Sequence, residues 1–183
     1  IKIWDPSRIS KSPTIFDPLK LRAINAAYIR ALPAEEFRRL ADPFIDSAVH
    51  RDIDRDLLCA NLQPRCEVLE DIPPQLDFFD AVVPYDAELY RNKKQKTTPE
   101  SAKEALTALL PVLEGMADWN RDAIFEACKV LAEQMEKKNG WLLYPLGIAL
   151  SGKSRTPGGG TDLAAMLGKE ETLARVRTAL GKV

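Results

Sequence analysis

The sequence predicts an all-α fold. Apolar residues return at intervals of three and four through segment after segment, the spacing that lines one side of a helix. Helix-start signals punctuate those segments: Asp17 before Pro18, Thr98 before Pro99, and Asn120. No run alternates apolar β-branched and polar residues with a period of two, as a half-buried strand would. No fixed-period repeat is visible, so a solenoid is not indicated.

Taken in order, the first predicted helix starts at Asp17 and runs to about Ala31, with Leu21, Ile24, Tyr28 and neighbouring alanines as its apolar face. Pro33 restarts the chain into a second helix with Phe37, Leu40, Phe44 and Ile45, which Pro43 should kink or end. A third, from about Asp52, carries Ile53, Leu57, Leu58 and Leu62 until Pro64 breaks it; Cys66, Leu69 and Ile72 then resume an apolar face. Gln75 to Val83 holds Leu76, Phe78, Phe79, Val82 and Val83, a docking patch, and Arg91 to Lys96 is a cationic connector. A helix from Pro99 presents Ala102, Ala105, Leu106, Leu109 and Leu113. The next presents Ile124, Phe125, Cys128, Leu131 and Met135, with Lys137 and Lys138 near its end and Asn139-Gly140 as its stop. Trp141 opens a short apolar helix. A turn with Ser151, Lys153, Arg155, Thr156, Pro157 and three consecutive glycines follows, then a closing helix from Lys169 to Leu180. Glycines admit φ > 0 and close backbone approach, so this turn is a place for a polyanion.

The 183 residues suffice for one compact domain or two small ones. Lysines and arginines number 26 against 27 acidic residues, a net charge of −1, so a nucleic-acid reader of this composition must gather its positive charge on one face. No apolar run approaches the roughly 18 residues of a membrane span, and no signal-peptide pattern opens the chain. Cytoplasmic location without membrane attachment is therefore expected. Cys59, Cys66 and Cys128 lie on apolar faces and read as buried, reduced thiols. His50, the sole histidine, reads as a surface residue without a metal partner. The phosphate loop pattern G-x-x-x-x-G-K-[ST] is missing, as is G-x-G-x-x-G after a strand. No nucleophile, metal set or carboxylate pair stands in catalytic spacing, so the chain by itself is expected to bind and not to turn over substrate.

One long pattern is distinctive. Pro145-Leu146, Ala149-Leu150-Ser151-Gly152, Thr156-Pro157-Gly158 and Leu167-Gly168-Lys169-Glu170, with Leu173 and Arg175, follow one another in order. Near the other end stand Ser10-Lys11-Ser12-Pro13, Phe16-Asp17 and Lys20-Leu21, then Asn25 and Tyr28-Ile29-Arg30. The chain resembles the C-terminal anticodon-binding region of bacterial glutamyl-tRNA synthetases, which are class I synthetases, from Ser10 to Leu180. Arg8 to Ser12 also suggests the ATP-stabilising Lys-Met-Ser-Lys-Ser type of loop of that class. The downstream residues fit the segment beyond that loop better. The resemblance implies two consecutive helical-bundle subdomains: residues 1–85, with the lead-in helix, and residues 86–183. It implies a partner, tRNA(Glu), with tRNA(Gln) left open as a second, and a monomer. ATP and Mg2+ belong to the parent ligase reaction; no cofactor is expected in this stretch.

By the motif match, anticodon bases would be met by Arg65, Tyr144, Gly147, Thr156, Pro157 and Gly159, and the tRNA backbone by Lys20, Asn25, Arg30, Lys153 and Arg155. In the family, the arginine at the place of Arg65 helps read the third anticodon base, separating tRNA(Glu), with cytosine, from tRNA(Gln), with guanine. The alternative for Arg65 is a surface pair with Glu67 or Glu70; for Lys20 and Arg30 it is a solvated basic edge. The chain departs from the family in three places. Ala23 replaces a usual tryptophan, Gly147 a usual arginine, and Gly159-Gly160 a usual bulky apolar pair. The competing readings are an all-α protein–protein module docking through Phe78, Phe79, Val82 and Val83, and a stand-alone synthetase-derived paralogue.

Overall fold

The computed structural model describes residues 17–183; the Ser10 to Phe16 matches and the Arg8 to Ser12 motif lie outside the described residues. The helices are α1 (Pro18–Ala31), α2 (Ala34–Asp46), α3 (Arg55–Leu62), α4 (Pro99–Gly115), α5 (Arg121–Gln134), α6 (Asn139–Ser151), α7 (Gly160–Leu167) and α8 (Lys169–Leu180). Between α3 and α4 the chain runs through single 3-10 turns at Gln63–Arg65, Leu69–Asp71, Pro73–Gln75 and Ala87–Tyr90. Among the described residues the one β-type pairing is an isolated bridge between Asn92 and Thr97, so the all-α expectation holds.

The caps at Asp17, Thr98 and Asn120 behave as read, each accepting a backbone N–H from the first turn of α1, α4 and α5; Asp54 does the same for α3, which starts at Arg55 rather than at about Asp52. Other readings need correcting. Leu21, Ile24 and Tyr28 do not face inward: Tyr28 is 72% exposed and Leu19 78%, while α1 buries Ala26 and Ile29. The helix lies against the Gln63–Arg65 turn, and polar bonds hold it there. Arg22 pairs with Glu67 at 2.9 Å and with Asp71, and Asn25 Nδ2 donates to the Glu67 carbonyl at 2.6 Å. Pro43 does not end α2 early; the helix continues to Asp46. Its ring sits on the exposed face, where the carbonyl it leaves unbonded can meet water. Asn139-Gly140 does not stop α5, which ends at Gln134; Glu136 turns the chain with φ 55°, and Asn139 already opens α6.

Helix α6 is apolar on nearly all sides, and it packs against α4, α5, α7 and α8. A helix of that kind belongs at the centre of a bundle. Phe78 and Phe79, stacked with ring centres 4.5 Å apart, are fully buried, so they cannot offer a partner the docking surface suggested above. They belong to one contiguous core that runs from Ile29 through Phe37, Leu62 and Leu106 to Ala179. The boundary drawn at residue 85 remains a proposal about organisation, since core residues from both sides share this cluster.

Arg175 joins the halves. Its side chain, on α8, is buried, and the residue is 5% exposed. Nη1 donates to the carbonyls of Phe78 at 2.7 Å and Leu150 at 2.6 Å, Nη2 to Phe79 at 2.6 Å, and Nε to Glu171 at 2.6 Å. Glu171 also receives Arg51 at 2.9 Å, and the hydrogen bond from Arg51, with that from Arg175, holds its carboxyl down at about 2. Two glycines permit close approach nearby. Gly152 ends α6 with φ 72°, and a Cβ there would lie 2.0 Å from the Val83 carbonyl oxygen. A Cβ on Gly160 would lie 2.7 Å from the Leu143 carbonyl oxygen and 3.0 Å from the Gly147 nitrogen, so the two glycines let α7 start against the backbone of α6.

Arg175→Met should destabilise the fold by about 3–5 kcal/mol in urea unfolding, because it leaves the buried carbonyls of Phe78, Phe79 and Leu150 without their donor and takes one of two arginines from Glu171. Gly160→Leu should cost about 1–3 kcal/mol by forcing α7 off α6. Glu171 has a folded value below its ordinary 4.5, so its contribution is present above about pH 4.5 and is lost as pH falls toward 2. Glu171→Gln should therefore flatten the acid limb of stability against pH in that window, measured by chemical denaturation at each pH.

Candidate nucleic-acid interface

Arg65 owes its position to a local break. Pro64 lies in the 3-10 turn that follows α3, and Gln63 Nε2 pins that turn to α1 by donating to the carbonyls of Ile29 at 3.0 Å and Leu32 at 2.8 Å. Leu62 and Cys66 on either side are buried, which leaves Arg65 facing out. Its guanidinium pairs with neither Glu67 nor Glu70. Nη1 instead reaches across 91 positions of sequence and donates to the Thr156 carbonyl at 3.3 Å.

The Thr156 loop is held from within. Ser151 Oγ donates to the Gly147 carbonyl at 2.7 Å and accepts the Lys153 N–H at 3.0 Å. Thr156 Oγ1 donates to the Gly158 carbonyl at 2.6 Å. Gly159 N–H donates to Asp162 Oδ2 at 2.7 Å, and Asp162 Oδ1 accepts from Arg121 Nε at 2.8 Å. The three consecutive glycines do not adopt positive φ; Gly152 and Gly168 are the glycines that do. The amides of Lys153 and Gly159 and the carbonyl of Gly158 are thus held by the loop's own side chains.

Two adjoining clefts result. The first, about 430 Å³, is lined by Tyr144, Gly147, Thr156 and Gly159 together with Gln95 and Arg121. The second, about 550 Å³, is lined by Arg65, Gln75, Arg155 and Thr156. Ser154, Thr156 and Gly158 belong to both. Tyr144 is fixed at the wall of the first by donating its hydroxyl to the Leu89 carbonyl at 3.1 Å.

Five of the sequence-derived site residues therefore meet: Arg65, Tyr144, Gly147, Thr156 and Gly159. Arg155 joins them, exposed and without a carboxylate partner among the described residues. Others are buried, already engaged, or stand outside the clefts. Pro157 is buried beneath the loop. Lys153 donates to the Pro74 carbonyl at 3.1 Å and forms an ion pair with Asp77, so its charge ties the loop to the first half. Asn25 spends its amide on Glu67. Lys20 and Arg30 are exposed on α1, outside both clefts. Sequence reading missed Gln75, Gln95 and Arg121. Arg121 follows the Asn120 cap, and only the return of α7 brings Asp162 and the cleft to it.

Electrostatically the clefts differ. Arg121 and Lys153 at the first are paired with Asp162 and Asp77, whereas Arg65 and Arg155 leave the second positive. Burial pushes the thiols of Cys59 and Cys66 up to about 11 and that of Cys128 up to about 12, so none is a ready thiolate. Among the described residues no group of three His, Cys, Asp or Glu side chains is placed to hold a metal, and no helix is long and apolar enough to cross a membrane. The clefts offer fixed donors, carbonyls and flat apolar faces, the chemistry of a site that seats unstacked bases.

Known proteins are similar to this chain in sequence and fold. The profile of the anticodon binding domain family matches residues 26–180. The glutamate–tRNA ligase of Clostridium botulinum strain Hall is 42% identical over 183 residues, covering 100% of this chain and 38% of the relative. That of Clostridium tetani strain Massachusetts is 42% identical over 180 residues, covering 98% and 37%. The chain thus spans less than two fifths of the length of these curated relatives, and the matched stretch is their C-terminal part. In fold it is similar to the crystal structure of a glutamate tRNA ligase from Elizabethkingia meningosepticum in complex with its amino acid. The TM-score is 0.80 at 23% identity, over 97% of this chain and 35% of that one. Since the family profile runs from within α1 to the end of α8, this protein belongs to the anticodon binding domain family.

Proposed function

We propose that this chain is the anticodon-reading portion of a glutamate–tRNA ligase and that it seats the anticodon loop of tRNA(Glu) across the two clefts. The observation that carries the reading is the convergence of Arg65 with the Thr156 loop, which turns separate cationic and glycine-rich stretches into one surface. Ligation of glutamate, with ATP and Mg2+, belongs in this reading to the longer protein.

Arg65 supplies the selectivity. A guanidinium carries donors alone. The Watson–Crick edge of cytosine presents O2 and N3 as neighbouring acceptors, which match that fork. The same edge of guanine presents N1–H and N2–H donors, which oppose it. Held by the Thr156 carbonyl, the fork is partly oriented before binding, so less freedom is lost on contact. Arg65 therefore favours cytosine at the third anticodon position and disfavours tRNA(Gln). Gly147 contributes backbone and space to the first cleft and no charge, so reading there rests on Tyr144, Thr156 and the loop amides. The protein is taken to act as a monomer.

Titration of the chain with tRNA(Glu) and tRNA(Gln) transcripts tests this. Wild type should prefer tRNA(Glu), and Arg65→Gln should erase about 1–3 kcal/mol of that preference, roughly 5- to 150-fold. A preference untouched by the substitution would remove Arg65 from the reading.

A further inference from the structure

Four lysines of the second half that carry no ion pair among the described residues gather at one place. Lys94 and Lys96 stand on the short turn that the Asn92–Thr97 bridge closes. Lys137 and Lys138 stand on the link between α5 and α6. The fold brings all four, from segments some forty positions apart in sequence, around one cleft of about 360 Å³ floored by Trp141, with Lys137 Nζ 5.2 Å from the Trp141 ring centre. Glu136 is the one acidic residue lining it. None of the four lysines forms an ion pair among the described residues. By contrast Arg22, Arg38, Arg39, Arg51, Arg55 and Arg175 are each paired with a carboxylate.

This cleft is continuous with the first. Gln95 lines both, its side chain lying against Gly140 at the start of α6. The first turn of α6 contains no acidic residue and receives no side-chain cap, so the helix end adds potential of the same sign. Four like charges facing one hollow repel one another, and the chain places no counter-charge there beyond Glu136. Lysine is a flexible point charge, suited to phosphates rather than to the edges of bases.

We propose that Lys94, Lys96, Lys137 and Lys138 form a phosphate-binding lip that holds the sugar–phosphate backbone of the RNA strand flanking the bases in the first cleft. The proposal rests on the anticodon-reading function above and adds a contact surface to it. Its contribution is independent of base identity, and it accounts for attraction of a polyanion by a chain of net charge −1.

The test is the 183-residue chain with all four lysines changed to Gln, titrated with tRNA(Glu) and tRNA(Gln) transcripts between about 50 and 200 mM salt. Affinity should fall about tenfold or more for both RNAs equally, and the slope of log affinity against log salt should shrink by about 2 to 3, given about 0.7 per single-strand phosphate. The Lys→Arg quadruple variant should keep both affinity and slope. An unchanged slope and affinity in the Gln variant would overturn the lip while leaving the reading clefts intact. A loss confined to one tRNA would overturn the backbone role. Failure of the wild-type chain to bind either tRNA would overturn the anticodon reading itself, and the lip with it.

Discussion

The guanidinium of Arg175 is the point on which the geometry of this protein turns. It is a charge inside the core, surrounded by three main-chain carbonyls and the Glu171 carboxylate. Two of those carbonyls come from the Phe78-Phe79 segment and one from the end of α6. Removing a charge from water is costly, and this one is tolerated because it donates four hydrogen bonds, one of them to a carboxylate. Its planar fork fixes the angle between α8, the close of α6 and the chain that links the two halves. The Thr156 loop leaves from the end of α6, and Arg65 sits on the other half. Their meeting therefore depends on that fixed angle.

Glycine contacts then shape what the clamp has positioned. Gly152 lets the end of α6 press on the Val83 carbonyl, and Gly160 lets α7 begin against the α6 backbone. A bulky side chain at Gly160 would wedge the two helices apart, so the departure from the family pattern at this position is built into the packing of this chain. The loop between them is short of freedom despite its glycines. Ser151 and Asp162 hold the amides of Lys153 and Gly159, and Thr156 holds the Gly158 carbonyl. A loop bonded in this way presents one surface rather than many, which lowers the ordering cost of binding.

Charge is divided by residue type. Arginines are mostly committed to carboxylates or carbonyls, where a planar fork gives the most directional contact. Lysines are less often paired with carboxylates, Lys129 and Lys153 being the ones that are among the described residues, and the fold concentrates four unpaired ones beside the first cleft. Arg65 and Arg155 stand apart from their fellows, exposed and aimed at the second cleft. A chain almost neutral overall thus carries a positive strip without being basic in composition, as its charge count required of any nucleic-acid reader.

The all-α class, the caps at Asp17, Thr98 and Asn120, and the closing helix from Lys169 to Leu180 were all legible in the sequence, because local backbone hydrogen bonding and apolar spacing decide them. The resemblance also singled out Arg65, Tyr144, Thr156 and Gly159. Which of the named residues face one another was not legible. Lys153 looked like a free cation and is tied to Asp77; Pro157 looked like a contact and is buried; the α1 face of Leu21 and Tyr28 looked like core and is exposed. Arg175 was a letter in a motif until its carbonyl partners came from positions ninety residues away. Helical periodicity reports which side of a helix is apolar, but only the packing of segments distant in sequence determines what covers that side, which charges find partners, and where the remaining ones gather.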